Sequence, residues 1–308
     1  MSARRNMRGA ALLFALWSIA LLAALLAGLA VSARGEDEVA RNAYDQARAR
    51  YAAEAGVARA VEALRDGDPA RRWVPDGRSY RFVFDRAQVE VRITDADGQV
   101  DLNAATPEVL LNLFRAAGVD EPRAQALSDA VQDWRDSDDL PRAHGAEADA
   151  YHRAGLAWTP RNGPFRTPDE LTHVLGMDDA LYRKLAGSIT VYSGRNFPDG
   201  AYADPLALAA SRDGDLAAAA VLVNARRARS AMQSGGESAP LPMVGVAPQP
   251  LTAGFGGLTQ DIRVVATLPD GTRSAVDASL RLTAIGGGLR PYTVLGWNDL
   301  PNGLSGSP

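Results

Sequence analysis

RGAALLFALWSIALLAALLAGLAV, residues 8–31, decides the architecture of this chain. Ala10 to Val31 is a run of 22 residues without a charge, and Ser18 is its single polar side chain. At about 1.5 Å per residue, a helix of that length crosses a hydrocarbon core of about 30 Å. Arg4, Arg5 and Arg8 precede the run, while Glu36, Asp37 and Glu38 follow it beyond Arg34. Lys and Arg collect on cytoplasmic flanks, so the asymmetry predicts a single-pass span with a cytoplasmic N-terminus and the bulk of the chain outside. A secretory signal peptide is the competing reading, but its apolar region would run only about 7–15 residues.

Helical patterning continues past the span. Val39, Ala43, Ala47, Tyr51, Ala58, Val61 and Leu64 recur at steps near three, four and seven, and no proline intervenes before Asp66-Gly67-Asp68-Pro69. One helix over residues 10–65 is therefore expected, half apolar throughout and half amphipathic. Tyr80 to Phe84 and Val89 to Ile93 alternate as strands joined by Asp85 to Gln88, and Asp95-Ala96-Asp97-Gly98 reads as a turn. Near the C-terminus, Ile262 to Leu268, Ala275 to Thr283 and Pro291 to Trp297 read as three more strands, the first two joined at Pro269-Asp270-Gly271-Thr272. These runs predict one antiparallel sheet built from 66–100 and 258–298, with the domain 101–230 inserted between its halves. Asp199 to Arg229 is Ala-rich and partly helical, 231–257 is a Gly/Pro/Ser linker, and 299–308 is a tail. The expected fold class is α+β.

The inserted segment carries an internal repeat. Thr106-Pro107-Glu108-Val109-Leu110 and Thr167-Pro168-Asp169-Glu170-Leu171 share a Thr N-cap, proline at the first helical position and acid in the first turn. Each leads to a matching turn, Gly118-Val119-Asp120-Glu121 or Gly176-Met177-Asp178-Asp179, with a leucine nine residues after the glycine at Leu127 and Leu185. Two helix-turn-helix units result, both resembling helix-hairpin-helix modules. Such modules bind DNA through turn amides and basic side chains. Here each turn carries two carboxylates, and Leu102 to Asn196 holds 14 Asp/Glu against 10 Arg/Lys, so phosphate is repelled.

Between the repeats, Asp133, Asp136, Asp138, Asp139, Glu147 and Asp149 put six carboxylates within 17 residues. Calcium takes about 6–8 oxygens in flexible geometry, and these six residues are the candidate ligands. Leu140-Pro141 rule out an EF-hand. A solvated loop paired with Arg135, Arg142 and Arg153 explains the same spacing equally well.

Composition narrows the chemistry. The 308 residues contain no cysteine and carry a net charge of −4, which excludes disulfides, thiolate metal sites and a generic polyanion binder. Lys184 is the only lysine, a bias attributable to codon usage. His144, His152 and His173 lack metalloprotease spacing, Ser211 and Asp213 have no adjacent base, and Gly286-Gly287-Gly288 is a loop. No catalytic constellation is expected.

The basic leader ending Arg8-Gly9, the small residue Ala10 and the apolar run together resemble type IV prepilins. That resemblance implies leader residues 1–9, cleavage between Gly9 and Ala10 by a prepilin peptidase, and methylation of the new terminus. Most of the class has Glu at the fifth mature position. This chain has Phe14, which implies a subunit with no neighbour on that side, at a fibre tip. Asp133-Trp134-Arg135-Asp136-Ser137-Asp138, His144-Gly145-Ala146-Glu147 and Pro160-Arg161-Asn162-Gly163-Pro164-Phe165 before Asp169-Glu170-Leu171 resemble the K-type minor pseudopilins of type II secretion systems. That family implies a pseudopilin fold with a helical insertion, calcium in the helical domain, and a single-pass subunit of the bacterial inner membrane with a periplasmic bulk. It also implies I-type and J-type minor pseudopilins and the inner-membrane secretion platform as partners, and a structural role in initiating or capping the pseudopilus. The alternative is a membrane-tethered helix-hairpin-helix DNA receptor.

Overall fold

The computed structural model describes residues 6–68, 71–233, 258–283 and 290–300, and within them the side chains of all but 6–11, 27–37 and 230–233. In chain order the elements are α1 (Asn6–Leu64), β1 (Asp76–Phe84), β2 (Ala87–Asp95), β3 (Val100–Asp101), α2 (Pro107–Ala116), α3 (Glu121–Arg135), α4 (Ala148–Arg153), α5 (Asp179–Leu185), β4 (Ile189–Thr190), α6 (Pro205–Ala210), α7 (Leu216–Gln233), β5 (Thr259–Thr267), β6 (Arg273–Leu282) and β7 (Tyr292–Leu300). The leader before Asn6, residues 234–257 of the expected linker, the triple glycine and the tail beyond Leu300 lie outside the described residues.

Helix α1 is unbroken over 59 residues, about 88 Å. Of the expected span Ala10 to Val31, side chains are described for 12–26, and all of them are exposed. Among the described residues no helix is long and apolar enough to cross a membrane.

The C-terminal half of α1 lies on the sheet, but not by the stripe that the large residues suggest. Its buried face is Ala49, Ala52, Ala53, Val57, Ala60, Val61 and Leu64, while Tyr51 is 66% exposed and Val39 also faces outward. The reason is proximity. A Cβ on Gly56 would stand 2.5 Å from Val264 Cγ1, so only a small-residue face lets the helix approach the strands this closely. Against it pack Val89, Val91, Ile93, Ile262, Val264, Val276 and Leu280.

The sheet is antiparallel in the order β1-β2-β5-β6-β7. Strand β2 pairs with β5, 165 positions away at Asp95 and Gln260, so the N- and C-terminal strands close one sheet around the inserted helical domain. The first hairpin is tighter than expected: Phe84 pairs with Ala87 and the turn is Asp85-Arg86 alone. Both turn residues have positive φ, 43° and 67°, the conformation that matches the right-handed strand twist.

A second core fills the helical domain around Leu102, Leu110, Leu113, Phe114, Leu127, Tyr151, Leu171, Leu185 and Ile189. The repeat is present but unequal. Thr106 accepts from the Val109 N–H and starts a ten-residue α2, whereas Thr167 makes no side-chain cap bond and Pro168–His173 is a 3-10 helix. The two expected helix-turn-helix units are therefore not equivalent. Their turns nevertheless interlock. Gly118 and Gly176 both have positive φ, Arg123 donates to the Gly176 carbonyl at 2.9 Å, and Lys184 donates to the Ala117 carbonyl at 2.6 Å. The single lysine thus has a structural task that codon usage does not predict.

One clamp joins the two cores. Asp76 on β1 is 1% exposed; Arg78 meets it with two hydrogen bonds of 2.8 Å, and Arg226 and Arg227 of α7 stand 4.0 Å away. Arg227 also donates to the Asp76 carbonyl, and Arg226 to the carbonyls of Gly200 and Ala203.

Candidate functional site

Helix α3 ends where the acidic segment begins. Asp133 lies on the inward side of its last turn with 0% exposure, and Asp136 is the C-cap residue. The chain then turns outward through Asp138 and Asp139 and returns at Arg142 to Glu147, the N-cap residue of α4. Asp138 accepts from the Leu140 N–H, and the Asn162 amide bonds both the Asp138 carbonyl and Asp139 Oδ1, which fixes the outer loop. Asn162 itself has φ +50°.

Arginine 142 sits inside this turn. Its Nη1 donates to Asp133 Oδ1 at 2.8 Å and to Asp136 Oδ2, and its backbone N–H points at both oxygens of Asp133 at 3.2 and 3.3 Å. Gly145 is required by the same approach, because a Cβ there would overlap the Asp133 carboxylate. Neither residue looks special from spacing alone. The signals in the sequence are the acid-rich setting of Arg142 and the place of Gly145 in His144-Gly145-Ala146-Glu147.

Glu147 is the unusual group. It is 7% exposed, caps no helix N–H, and among the described residues neither of its carboxylate oxygens has a hydrogen-bond partner. Burial pushes its pKa up to about 7, and the charges of Asp133, Asp136, Asp139 and Asp138 push the same way. Burying a carboxylate without a partner costs several kcal/mol unless it takes up a proton or meets a cation. Beneath it, Tyr151 is fully buried and pushed up to about 12, first by burial and then by the charges of Glu147 and Asp133, against the Leu175 N–H bond. Trp134 stacks on Phe165 and closes the floor.

Of the six candidate ligands, the structure gathers Asp133, Asp136 and Glu147 at the centre and Asp138 and Asp139 at the rim; Asp149 is exposed in the first turn of α4. As placed, no three His, Asp or Glu groups among the described residues converge on one ion position. The salt-bridged, solvated loop is corrected in turn. Of the three expected arginines Arg142 alone pairs with the cluster, since Arg135 donates to the Leu102 and Ala105 carbonyls and Arg153 to that of Asp149. The donors are hard oxygens, two of them without a partner on the buried Glu147 among the described residues, but they are not placed to share one ion. Gly9, Ala10 and Phe14, the other candidate residues, lie in α1 far along the chain from this pocket.

A long helix laid on an antiparallel sheet, with a helical domain inserted between its strands, defines the class to which this chain belongs structurally. It superposes with a TM-score of 0.57 and 17% identity on a chain of the GspK-GspI-GspJ complex from the enterotoxigenic Escherichia coli type 2 secretion system, covering 84% of this chain and 98% of that one. Residues 89–194, which include the whole pocket, match the family model of type II secretion system protein K. The protein K of Klebsiella pneumoniae is 32% identical over 129 residues, 38% of this chain and 39% of that one, and that of Pectobacterium carotovorum subsp. carotovorum is 32% identical over 120 residues, 34% and 37% respectively. The matched stretch thus spans less than two fifths of these relatives. The family model and both relatives are type II secretion system protein K, to which this stretch of the chain is similar, and the solved structure shares its fold.

Proposed function

We propose that the chain is a minor pseudopilin that acts structurally at the tip of a periplasmic pseudopilus, helping initiate or cap fibre assembly for protein export. The observation that carries this is the protein K match over 89–194 falling on the inserted domain of a pseudopilin-like fold. In this reading α1 anchors the chain in the inner membrane through residues 10–31 after cleavage between Gly9 and Ala10, and Phe14 leaves one side of the helix without a neighbouring subunit. I-type and J-type minor pseudopilins are the partners, as the composition of the similar complex suggests. Pull-down of the full chain from detergent extract should recover both. Recovery of neither, from cells that express all three, refutes the reading.

The pocket supports calcium as a structural ion held by Asp133, Asp136 and Glu147, with Asp138 and Asp139 at its rim. Bound to the folded state alone, calcium at about 100 times Kd adds about 2.7 kcal/mol of stability. The full chain in detergent should therefore melt higher in millimolar calcium than in chelator, and Asp136→Asn with Glu147→Gln should remove the difference. The DNA-receptor alternative has less support. Asp120 and Asp178 cap the helices that follow the turns, and Arg123 pairs with Asp178 while Arg115 pairs with Glu121. The nearby cations are thus engaged with carboxylates instead of being offered to phosphate.

A further inference from the structure

Successive strand residues point to opposite sides of a sheet. Val91, Ile93, Val264 and Val276 face α1, so their neighbours along each strand face away from it. On that second face stand Arg81, Arg92, Arg263, Arg273 and Arg281, all exposed. Register aligns Ser79, Arg92, Arg263, Asp277 and Asn298 in one row across the five strands, which sets Arg92 directly opposite Arg263. Like charges so placed repel. Two of the arginines are neutralised within the face: Arg263 meets Asp277 with two bonds of 2.7 Å, and Arg81 donates to Glu90 at 3.0 Å. Arg92, Arg273 and Arg281 form no ion pair among the described residues, and Arg281 Nε donates to the Thr259 hydroxyl at 3.4 Å. The other acid of the face, Asp261, accepts from Ser279 and from Gln99 beyond the end of β2.

The charge of this face runs against that of the chain, whose net value is −4. The parts of the chain outside the described residues cannot supply the missing anions, since residues 1–5, 69–70, 234–257, 284–289 and 301–308 contain one acid, Glu237. The counter-charge has to come from another molecule. Its shape follows from the spacing. Arg273 and Arg281 lie on β6 about 27 Å apart at about 3.4 Å per residue, and the row of Arg92 crosses β6 midway between them at Asp277. Val265 and Ala275, paired in register, put short apolar side chains inside this frame. A small anion reaches one of the three cations, whereas an acidic stretch of polypeptide reaches all of them. Three unpaired cations also fall short of the cluster of about 4–8 that holds a protein to anionic lipid. Each guanidinium offers a planar fork matched to a carboxylate. We infer that the sheet face turned away from α1 is a docking surface for an acidic segment of another protein, whose carboxylates pair with Arg92, Arg273 and Arg281. The inference draws on strand register and charge alone and does not depend on the fibre-tip reading.

The test titrates the full chain, held in phosphatidylcholine nanodiscs, against a fluorescent peptide of alternating Glu and Ala long enough to cross the strip, read by anisotropy. Wild type should bind at about 0.05 M salt and release the peptide at about 0.5 M, where exposed charges are screened. The triple variant Arg92→Gln, Arg273→Gln, Arg281→Gln should bind on the order of tenfold more weakly, the sum expected of three exposed ion pairs. A control triple variant, Arg166→Gln, Arg183→Gln, Arg212→Gln, makes the same change in net charge at exposed positions of the helical domain and should bind as wild type does. If the first triple variant does not fold, its three single variants carry the test, each with a loss of about twofold. Equal weakening in both triple variants overturns the inference, because net charge and not this face would then hold the peptide. So does a wild-type chain that ignores the peptide at the lower salt. Vesicles of phosphatidylglycerol are the last arm: binding to them through these three arginines, without binding to the peptide, overturns the protein partner in favour of a lipid surface.

Discussion

Asp76 and Glu147 are both buried carboxylates, and the fold treats them in opposite ways. Asp76 is enclosed by Arg78, Arg226 and Arg227 at the junction of the sheet with α7. Burial raises its pKa, but the Arg78 hydrogen bonds and the charges of Arg78, Arg226 and Arg227 outweigh it and hold the carboxyl below its ordinary value. Glu147 has the burial without the bonds and is pushed up to about 7. A fully compensated ion cluster marks a structural joint. An acid buried among other acids is left with desolvation and repulsion, and both favour its protonated form.

The largest effect should come from breaking the compensated side. Asp76→Ala withdraws the carboxylate that three arginines face inside the domain junction, a change of the kind that costs about 3–5 kcal/mol. Thermal unfolding of the full chain in detergent should show a large drop, with the sheet and the helical domain melting in separate transitions. A single transition within a few degrees of wild type would show that the two cores are joined by other contacts.

The next effect separates the two acids by the sign of their pH dependence. For Asp76 the folded pKa is depressed, so its contribution is present above the unfolded value of 3.8 and is lost as pH falls through the folded one. For Glu147 the folded pKa is raised. Between 4.5 and about 7 the folded chain holds a proton that the unfolded chain has released, so stability falls as pH rises across that window. The loss is at most about 3 kcal/mol. Asp95, also raised to about 7 by burial, slopes the same way, so the informative quantity is the difference between wild type and Glu147→Gln in chelator. That difference should grow from pH 5 to pH 7. A constant offset would mean that Glu147 is already paired.

How much of this contrast the sequence discloses follows from what each group depends on. The apolar run, the strands and the turn glycines Gly118 and Gly176 are legible because period, length and φ are local properties. The six carboxylates are legible as a group because they are close in sequence. Their sorting is not, since Asp133 is buried only by the end of α3 and the return of the chain at Arg142 and Gly145. The hairpin at Asp85 is legible, but its two-residue length is not, because neither Asp85 nor Arg86 is glycine. The buried stripe of α1 is misread because Tyr51 and Val39 are more hydrophobic than the alanines that meet the sheet, and only the closeness at Gly56 makes small size decisive. The Asp76 clamp is invisible in sequence, as Arg226 and Arg227 lie 150 and 151 positions from their carboxylate.

Gly145→Ala sharpens the comparison from the side of the pocket. The added methyl overlaps the Asp133 carboxylate, and in a packed site such overpacking costs about 1–3 kcal/mol. Wild type and variant should differ in melting temperature in chelator and, because Asp133 must move, the calcium-dependent rise should shrink as well. A normal response to calcium in Gly145→Ala would place Asp133 outside the site.

Asp149→Asn should have the smallest effect, and it tests whether the pocket's boundary is correctly drawn. By charge and spacing Asp149 is as good a ligand as Glu147, two residues away. In the fold it is exposed in the first turn of α4, and the largest charge effects on Glu147 come from Asp133, Asp136, Asp139 and Asp138. An acid in that position interacts favourably with the helix N-terminus by about 0.3–1 kcal/mol at low salt, and less when screened. The substitution should therefore shift the melting temperature slightly and equally in calcium and in chelator. Asp136→Asn, three residues after the buried Asp133, should instead lower it mainly in calcium. If Asp149→Asn erases the calcium-dependent rise, the α4 turn swings inward on binding and the site is wider than Asp133, Asp136 and Glu147. If it leaves the rise unchanged, proximity in sequence and membership of the pocket have been separated by two residues of one helix start.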